Sequence, residues 1–182
     1  MMVRKAVLGR IGGLFSAVLV ALVLAAPATA QTQNRVDSKR DWSIFEVDQN
    51  GAKICWIVSR PTESAALRGG QRVSVNRGDI FLMVAVRPAD GVKNEVSFMA
   101  GYPFRQGSEV EAKIGSATFE LFTDGENAWA PTPADDDRIV AAFKRGVNAR
   151  VEGLSSRGTT TIDTFSLLGF TAALDSATAR CR

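Results

Sequence analysis

The sequence predicts a mainly β protein carrying one or two short helices. Three observations point there. Apolar residues come in short runs bounded by turn dipeptides such as Asn50-Gly51, Asp90-Gly91 and Asp124-Gly125. Several of these runs alternate large apolar with polar side chains, the period of a strand with one covered face. Helical spacing occurs in only two places, both in the last third of the chain.

Taken in order, Trp42 to Val47 (WSIFEV) alternates and reads as a half-buried strand. Lys53 to Ser59 (KICWIVS) is its hairpin partner, because Asn50 and Gly51 both tolerate the positive φ of a tight turn. RPTESAALRGGQR, from Arg60, reads as a polar connection punctuated by Gly69-Gly70. Ile80 to Val86 (IFLMVAV) is apolar throughout, which predicts a strand buried on both faces with a helix packed outside the sheet. Pro88 ends that strand, and Asn94 to Ala100 (NEVSFMA) forms the next. GSEVEAKIG and SATFELFTDG make a hairpin-like pair with Ile114, Phe119, Leu121 and Phe122 as its apolar side chains, and Trp129 lies in a short strand after it.

ADDDRIVAAFKRG predicts the first helix. Ile139, Val140 and Phe143 share a face, acids precede it, Lys144 and Arg145 occupy its last turn, and Gly146 stops it; that charge order suits the helix dipole. VNARVEGL is a further strand, and the threonine-rich RGTTTIDTF another. From Ser166 the pattern turns helical, with Leu167, Phe170 and Leu174 in a stripe and Asp163, Thr164 or Ser166 available as its cap. Gly169 within the stripe costs about 1 kcal/mol against alanine, so it is expected to permit close approach to the sheet.

The chain opens with Arg4, Lys5 and Arg10, an apolar stretch to Ala26, Pro27, and the small-x-small site Ala28-Thr29-Ala30. This is the layout of a cleaved secretory signal over residues 1–30, with cleavage after Ala30. The apolar run falls short of the about 20 residues a membrane span needs, so no integral span is expected in the mature chain. Residues 31–40 read as a loose polar leader and 41–182 as a single domain of a length that supports a real core. The chain holds 22 Lys+Arg and 19 Asp+Glu; removing the three basic residues of the signal leaves nineteen of each sign. The basic balance therefore belongs to the discarded segment, and nucleic acid is not an expected partner.

Two cysteines remain, Cys55 and Cys181. In an exported chain an even count reads as one disulfide. A redox pair would prefer the C-x-x-C spacing, which is absent.

There is no histidine, which removes the usual general base, the usual zinc ligand and every Ser-His or Cys-His arrangement. No catalytic residue, metal site or cofactor is therefore expected. The acids Asp135, Asp136 and Asp137 lack the spaced ligands of a calcium loop and read as stabilisers of the helix start. Ser155, Ser156 and Lys144 do not have the spacing of a serine–lysine hydrolase. The candidate binding residues are Ser156, Arg157, Thr159 and Asp163, a polar set suited to a carboxylate or a sugar; the competing reading pairs Arg157 with Asp163 across a hairpin. Trp42, Trp56 and Trp129 read as core residues, and as a carbohydrate platform only if two lie exposed and coplanar.

Trp42, Cys55, IFLMVAVRP, NEVSFMAGY, FELFTDGENAW, RGTTTIDTFSLLGF and the terminal Cys181, in that order, resemble the invasion associated locus B family of exported alphaproteobacterial proteins. The resemblance spans nearly the whole mature chain, and the threonine-rich run with its SLLGF end is its most specific part. It implies an immunoglobulin-like β-sandwich, paired Cys55 and Cys181, and no established catalytic residue. The expected function is a non-enzymatic envelope protein, in the periplasm or at the outer-membrane surface, that contacts an envelope or host protein or a glycan. The alternative is a histidine-independent hydrolase or a small-ligand binder using a polar site near residues 156–163; it requires a concave polar site beside Thr159 to Asp163.

Overall fold

The structure, a computed structural model, describes residues 34–182. The expected signal over 1–30, its cleavage point at Ala30 and the start of the polar leader lie outside the described residues. Twelve strands and two helices follow in the order β1 (Asn34–Lys39), β2 (Trp42–Gln49), β3 (Ala52–Ser59), β4 (Glu63–Arg68), β5 (Gln71–Arg72), β6 (Phe81–Arg87), β7 (Val92–Met99), β8 (Glu109–Ile114), β9 (Ala117–Asp124), β10 (Asn127–Trp129), α1 (Pro133–Arg145), β11 (Asn148–Leu154), β12 (Thr160–Ser166) and α2 (Phe170–Arg180). All strands join one antiparallel sheet in the order β1-β2-β3-β6-β7-β10-β9-β8-β11-β12-β4-β5. The fold is mainly β, as the sequence predicts.

The sheet is open and folds over on itself, an arrangement compatible with a sandwich. Phe98 on β7 meets Phe165 on β12 edge-on, with ring centroids 6.0 Å apart. The Trp42 indole N–H on β2 donates to the Ser166 carbonyl at 3.0 Å. Asn50 and Gly51 make the β2–β3 turn with φ of 56° and 84°, the left-handed pair that a tight hairpin requires. α1 forms where expected, with Ile139, Val140, Ala142 and Phe143 as its buried face; it starts at Pro133, so the acids lie in its first turn, and its cap is the Thr132 hydroxyl, which accepts from the Asp135 amide.

Four expectations change. The described part of the leader is edge strand β1, paired along its length with β2. Its charged side chains suit an edge, where a polar surface discourages further pairing. The polar connection after Arg60 holds β4 and β5, and β4 pairs with β12 over five residues. The apolar run of β6 alternates: Leu82, Val84 and Val86 are buried, while Phe81, Met83 and Ala85 are half-buried on the outer face. Among the described residues no helix covers that outer face. The two helices instead lie on the inner one, where Phe170 of α2 packs edge-on against both Trp42, at 5.0 Å, and Phe143 of α1, at 5.1 Å.

The final strand also runs to Ser166, so α2 begins later than the stripe suggests, at Phe170. Its N-cap is Gly169, with φ of 89°, and no side chain caps it; the Ser166 hydroxyl accepts from the Leu168 amide instead. A Cβ on Gly169 would collide with the Lys39 carbonyl, so the helix start rests directly on the β1–β2 turn. The Cys55–Cys181 disulfide ties β3 to the residue closing α2. Among the described residues no helix is long and apolar enough to cross a membrane.

Candidate functional site

The inner face of β12 changes character along its length. Thr159, Thr161, Asp163 and Phe165 all point inward and are buried. Phe165 belongs to the apolar core, whereas the Thr159 end meets polar side chains from β4. The register sets Ser64 opposite Asp163 and Ala66 opposite Thr161, and leaves Arg68 beyond the strand end beside Thr159. One end of the sandwich is therefore closed by helices and aromatic rings, and the other by hydroxyls and guanidinium groups.

Asp163 is the electrostatic centre of that polar end. Its carboxylate is fully buried and receives both terminal nitrogens of Arg77, at 2.9 and 2.7 Å, together with the Ser64 hydroxyl at 2.6 Å. The Arg77 side chain is 8% exposed; its Nε donates to the Ala100 carbonyl, and its guanidinium lies 5.0 Å from the Tyr102 ring centroid. This geometry needs the 77–78 segment to approach the end of β7 closely. Gly78 and Gly101 permit it: the Gly78 amide donates to the Gly101 carbonyl at 2.9 Å, and a Cβ on Gly101, whose φ is 70°, would sit 2.7 Å from the Gly78 carbonyl.

Beside this pair, with Arg77 on its lining, a concave site of about 510 Å³ opens at the sandwich end, a size within the range of small-molecule sites. One wall is the turn from Ser155 to Thr159. That turn is held firmly: the Thr159 amide donates to the Ser155 hydroxyl at 3.0 Å, and the Ser156 amide to the Pro103 carbonyl at 2.9 Å. Arg68 donates from Nε and Nη2 to the Thr159 hydroxyl, at 3.2 and 2.8 Å. The Tyr102 and Thr161 hydroxyls meet at 2.7 Å, and burial pushes the Tyr102 pKa up, so it stays protonated at neutral pH. Glu126, an exposed residue, is also on the lining.

Of the residues expected to bind, Ser156, Arg157 and Thr159 line this site together. Asp163 lies behind it, paired with Arg77, so the expected alternative of an Arg157–Asp163 ion pair is corrected. Arg157 is exposed, and among the described residues no carboxylate lies within salt-bridge distance of it. Sequence reasoning missed Arg68, Arg77, Tyr102 and Glu126, which reach the site from separate segments. The closest signals were Gly78 and Gly101, whose pairing is visible only in three dimensions.

The other candidates separate. Asp135 accepts from the Thr132 hydroxyl and pairs with Arg138, Asp136 accepts from the Val96 amide, and Asp137 from the Asn94 side chain. They point to different partners, and among the described residues no group of acids, cysteines or histidines has a metal-holding arrangement. Trp42 is core, but Trp56 and Trp129 are half-buried on the outer face. Each stacks on a phenylalanine, Phe45 and Phe122 respectively. They stand on strands separated by β6 and β7 and do not form one platform.

A family model described as "Invasion associated locus B (IalB) protein" matches residues 42–178. Among solved structures, the crystal structure of invasion associated protein b from Bartonella henselae is similar over 79% of this chain and 95% of that one. The TM-score is 0.54 and the identity 18%, a likeness that speaks to the fold. No curated protein matches the chain.

Proposed function

The chain belongs to the invasion associated locus B family, and we propose that it is an exported, non-enzymatic envelope protein that acts by binding through the polar site at the sandwich end. The observation that carries this reading is the state of Asp163. A hydrolase that relies on a carboxylate base needs that carboxylate free to take a proton. The one buried beside this site is committed to Arg77 and Ser64. Apart from the exposed Glu126, the polar side chains on the lining are hydroxyls, an amide and arginines set beside a braced turn, the equipment of recognition.

Export follows from residues 1–30 acting as a signal cleaved after Ala30, leaving one β domain. The Cys55–Cys181 bond supports it, because disulfides persist in oxidising compartments. The partner is an envelope or host protein or a glycan. The name of the Bartonella henselae protein speaks of invasion; for this chain a host-contact role depends on surface display.

Protease treatment of intact cells, compared with cells whose outer membrane is permeabilised, tests the location. Digestion in intact cells places the domain at the surface and favours host contact. Protection until permeabilisation places it in the periplasm and turns the search to envelope partners. Recovery from the cytoplasm with residues 1–30 still attached refutes the proposal.

A further inference from the structure

Resting on the assignment of the sandwich-end cavity as a binding site, we infer that its ligand is a sugar acid: a hydroxylated ring bearing one carboxylate. Charge selects the carboxylate. Three arginines line the cavity, Arg68, Arg77 and Arg157. Asp163 neutralises Arg77 from behind, and Glu126 stands on the lining, so the site carries one excess positive charge. A singly charged anion balances it, whereas a phosphate dianion leaves one negative charge uncompensated.

Donor inventory supports the same choice. Arg68 spends Nε and Nη2 on a neutral hydroxyl, that of Thr159, and keeps its remaining N–H groups. Arg157 has no carboxylate partner among the described residues. Two guanidinium groups flanking a fixed turn are suited to the planar oxygens of a carboxylate, which they bind in forked geometry.

The remaining lining selects the hydroxylated body. Ser156, Asn76 and Ser74 present donors and acceptors, and the Glu126 carboxylate accepts only, so it has a use if the ligand brings hydroxyl donors. Tyr102, Val75 and Pro103 offer the apolar surface on which the C–H face of a sugar ring rests. The turn is already braced through Pro103, so binding orders little backbone and loses little affinity to that cost.

The test is a nitrogen-15 NMR titration of the exported, disulfide-intact protein with sodium D-glucuronate, D-glucose and inorganic phosphate in parallel, at a pH above the second ionisation of phosphate so that it is present as the dianion. Glucuronate is expected to shift the amides of Ser155 to Thr161 in a saturable way, with glucose and phosphate at least about tenfold weaker. Arg157→Gln, at an exposed turn position, should weaken glucuronate about tenfold or more while leaving the rest of the spectrum in place, as befits loss of a charge-assisted hydrogen bond. Arg68→Lys keeps the charge, loses the fork, and should weaken it as well. Phosphate binding as tightly as glucuronate overturns the single-charge argument; equal glucose binding overturns the carboxylate. Failure of glucuronate to shift these amides overturns the ligand class. None of these outcomes touches the export and location result, which the protease experiment reads separately.

Discussion

Replacing Asp163 by asparagine changes one oxygen to an amide nitrogen and removes one charge from the middle of the sandwich end. The carboxylate accepts from Arg77 at both oxygens and from Ser64, and neither the Asp163 nor the Arg77 side chain has appreciable contact with water. Asparagine keeps one acceptor, but its NH₂ then faces an Arg77 N–H, donor against donor. A lost charge-assisted hydrogen bond is worth about 1.5–3 kcal/mol, and a buried guanidinium left without its counter-ion brings the total to about 3–5 kcal/mol. That is a large share of the about 5–15 kcal/mol by which domains are stable. Urea titration at pH 7 should show the midpoint falling with an unchanged m-value. The paired variant Arg77→Met/Asp163→Leu removes both charges together and should regain most of the loss, because well-packed apolar replacements of buried ion pairs are often neutral. A loss below about 1 kcal/mol for Asp163→Asn, or a double variant as unstable as the single one, would refute the claim that a desolvated pair organises this end.

Reduction of Cys55–Cys181, or the double alanine variant, releases a link spanning 126 residues and should lower stability by about 5 kcal/mol on chain-entropy grounds; urea curves with and without the bond that differ by under about 1 kcal/mol count against it. Asp136 is pushed up to about 6, chiefly by burial and against the Val96 amide, with Glu95, Asp137 and Asp135 adding to the rise. The folded state therefore binds more protons than the unfolded one between its ordinary value of 3.8 and about 6, and this group's contribution to stability falls as pH rises through that window. Asp136→Asn should match the parent near pH 4 and exceed it at pH 7, and parallel stability–pH curves exclude the effect. Gly169→Ala forces a Cβ into the Lys39 carbonyl at φ of 89° and should cost more than the about 1–2 kcal/mol of the left-handed conformation alone; an unchanged melting temperature refutes that contact.

Local chemistry accounts for the parts of the fold that the sequence made legible. Asn50-Gly51 predicts the β2–β3 hairpin because the turn and its φ values are properties of two adjacent residues. α1 is visible for the same reason: its acids, bases and apolar stripe all lie within a few turns. β1 and β4 were hidden because neither strand carries its own reason to be one. β4 has the weak strand formers Ala65 and Ala66 and becomes a strand through the hydrogen bonds that β12 offers it. β6 misled in the opposite direction, since an all-apolar run does not reveal that half of its side chains stay near solvent. In the candidate site, the turn residues Ser156, Arg157 and Thr159 were found as neighbours in sequence. Their partners were not, because Arg77 reaches Asp163 across 86 residues and Arg68 reaches Thr159 across 91.

The two ends of the sandwich solve different problems with the same inner face. At the helix end, Phe170 joins Trp42 and Phe143, and burial of rings does the work. At the other end β12 and the residue before it present Thr159, Thr161 and Asp163 inward, groups that are costly to bury without partners. Each receives one: Arg68 for Thr159, Tyr102 for Thr161, Arg77 for Asp163. Satisfying these groups draws three separate segments onto one strand end, and the space between them is the cavity. A buried ion pair is weak evidence for stability in itself. Here it does something an apolar pair cannot, because Arg77 also holds the Ala100 carbonyl and lies over Tyr102, fixing the wall that faces Arg157. Stability and site formation should therefore separate at this end: replacing both charges is expected to leave the protein folded, yet it removes Arg77 from the lining and with it the bond to the Ala100 carbonyl.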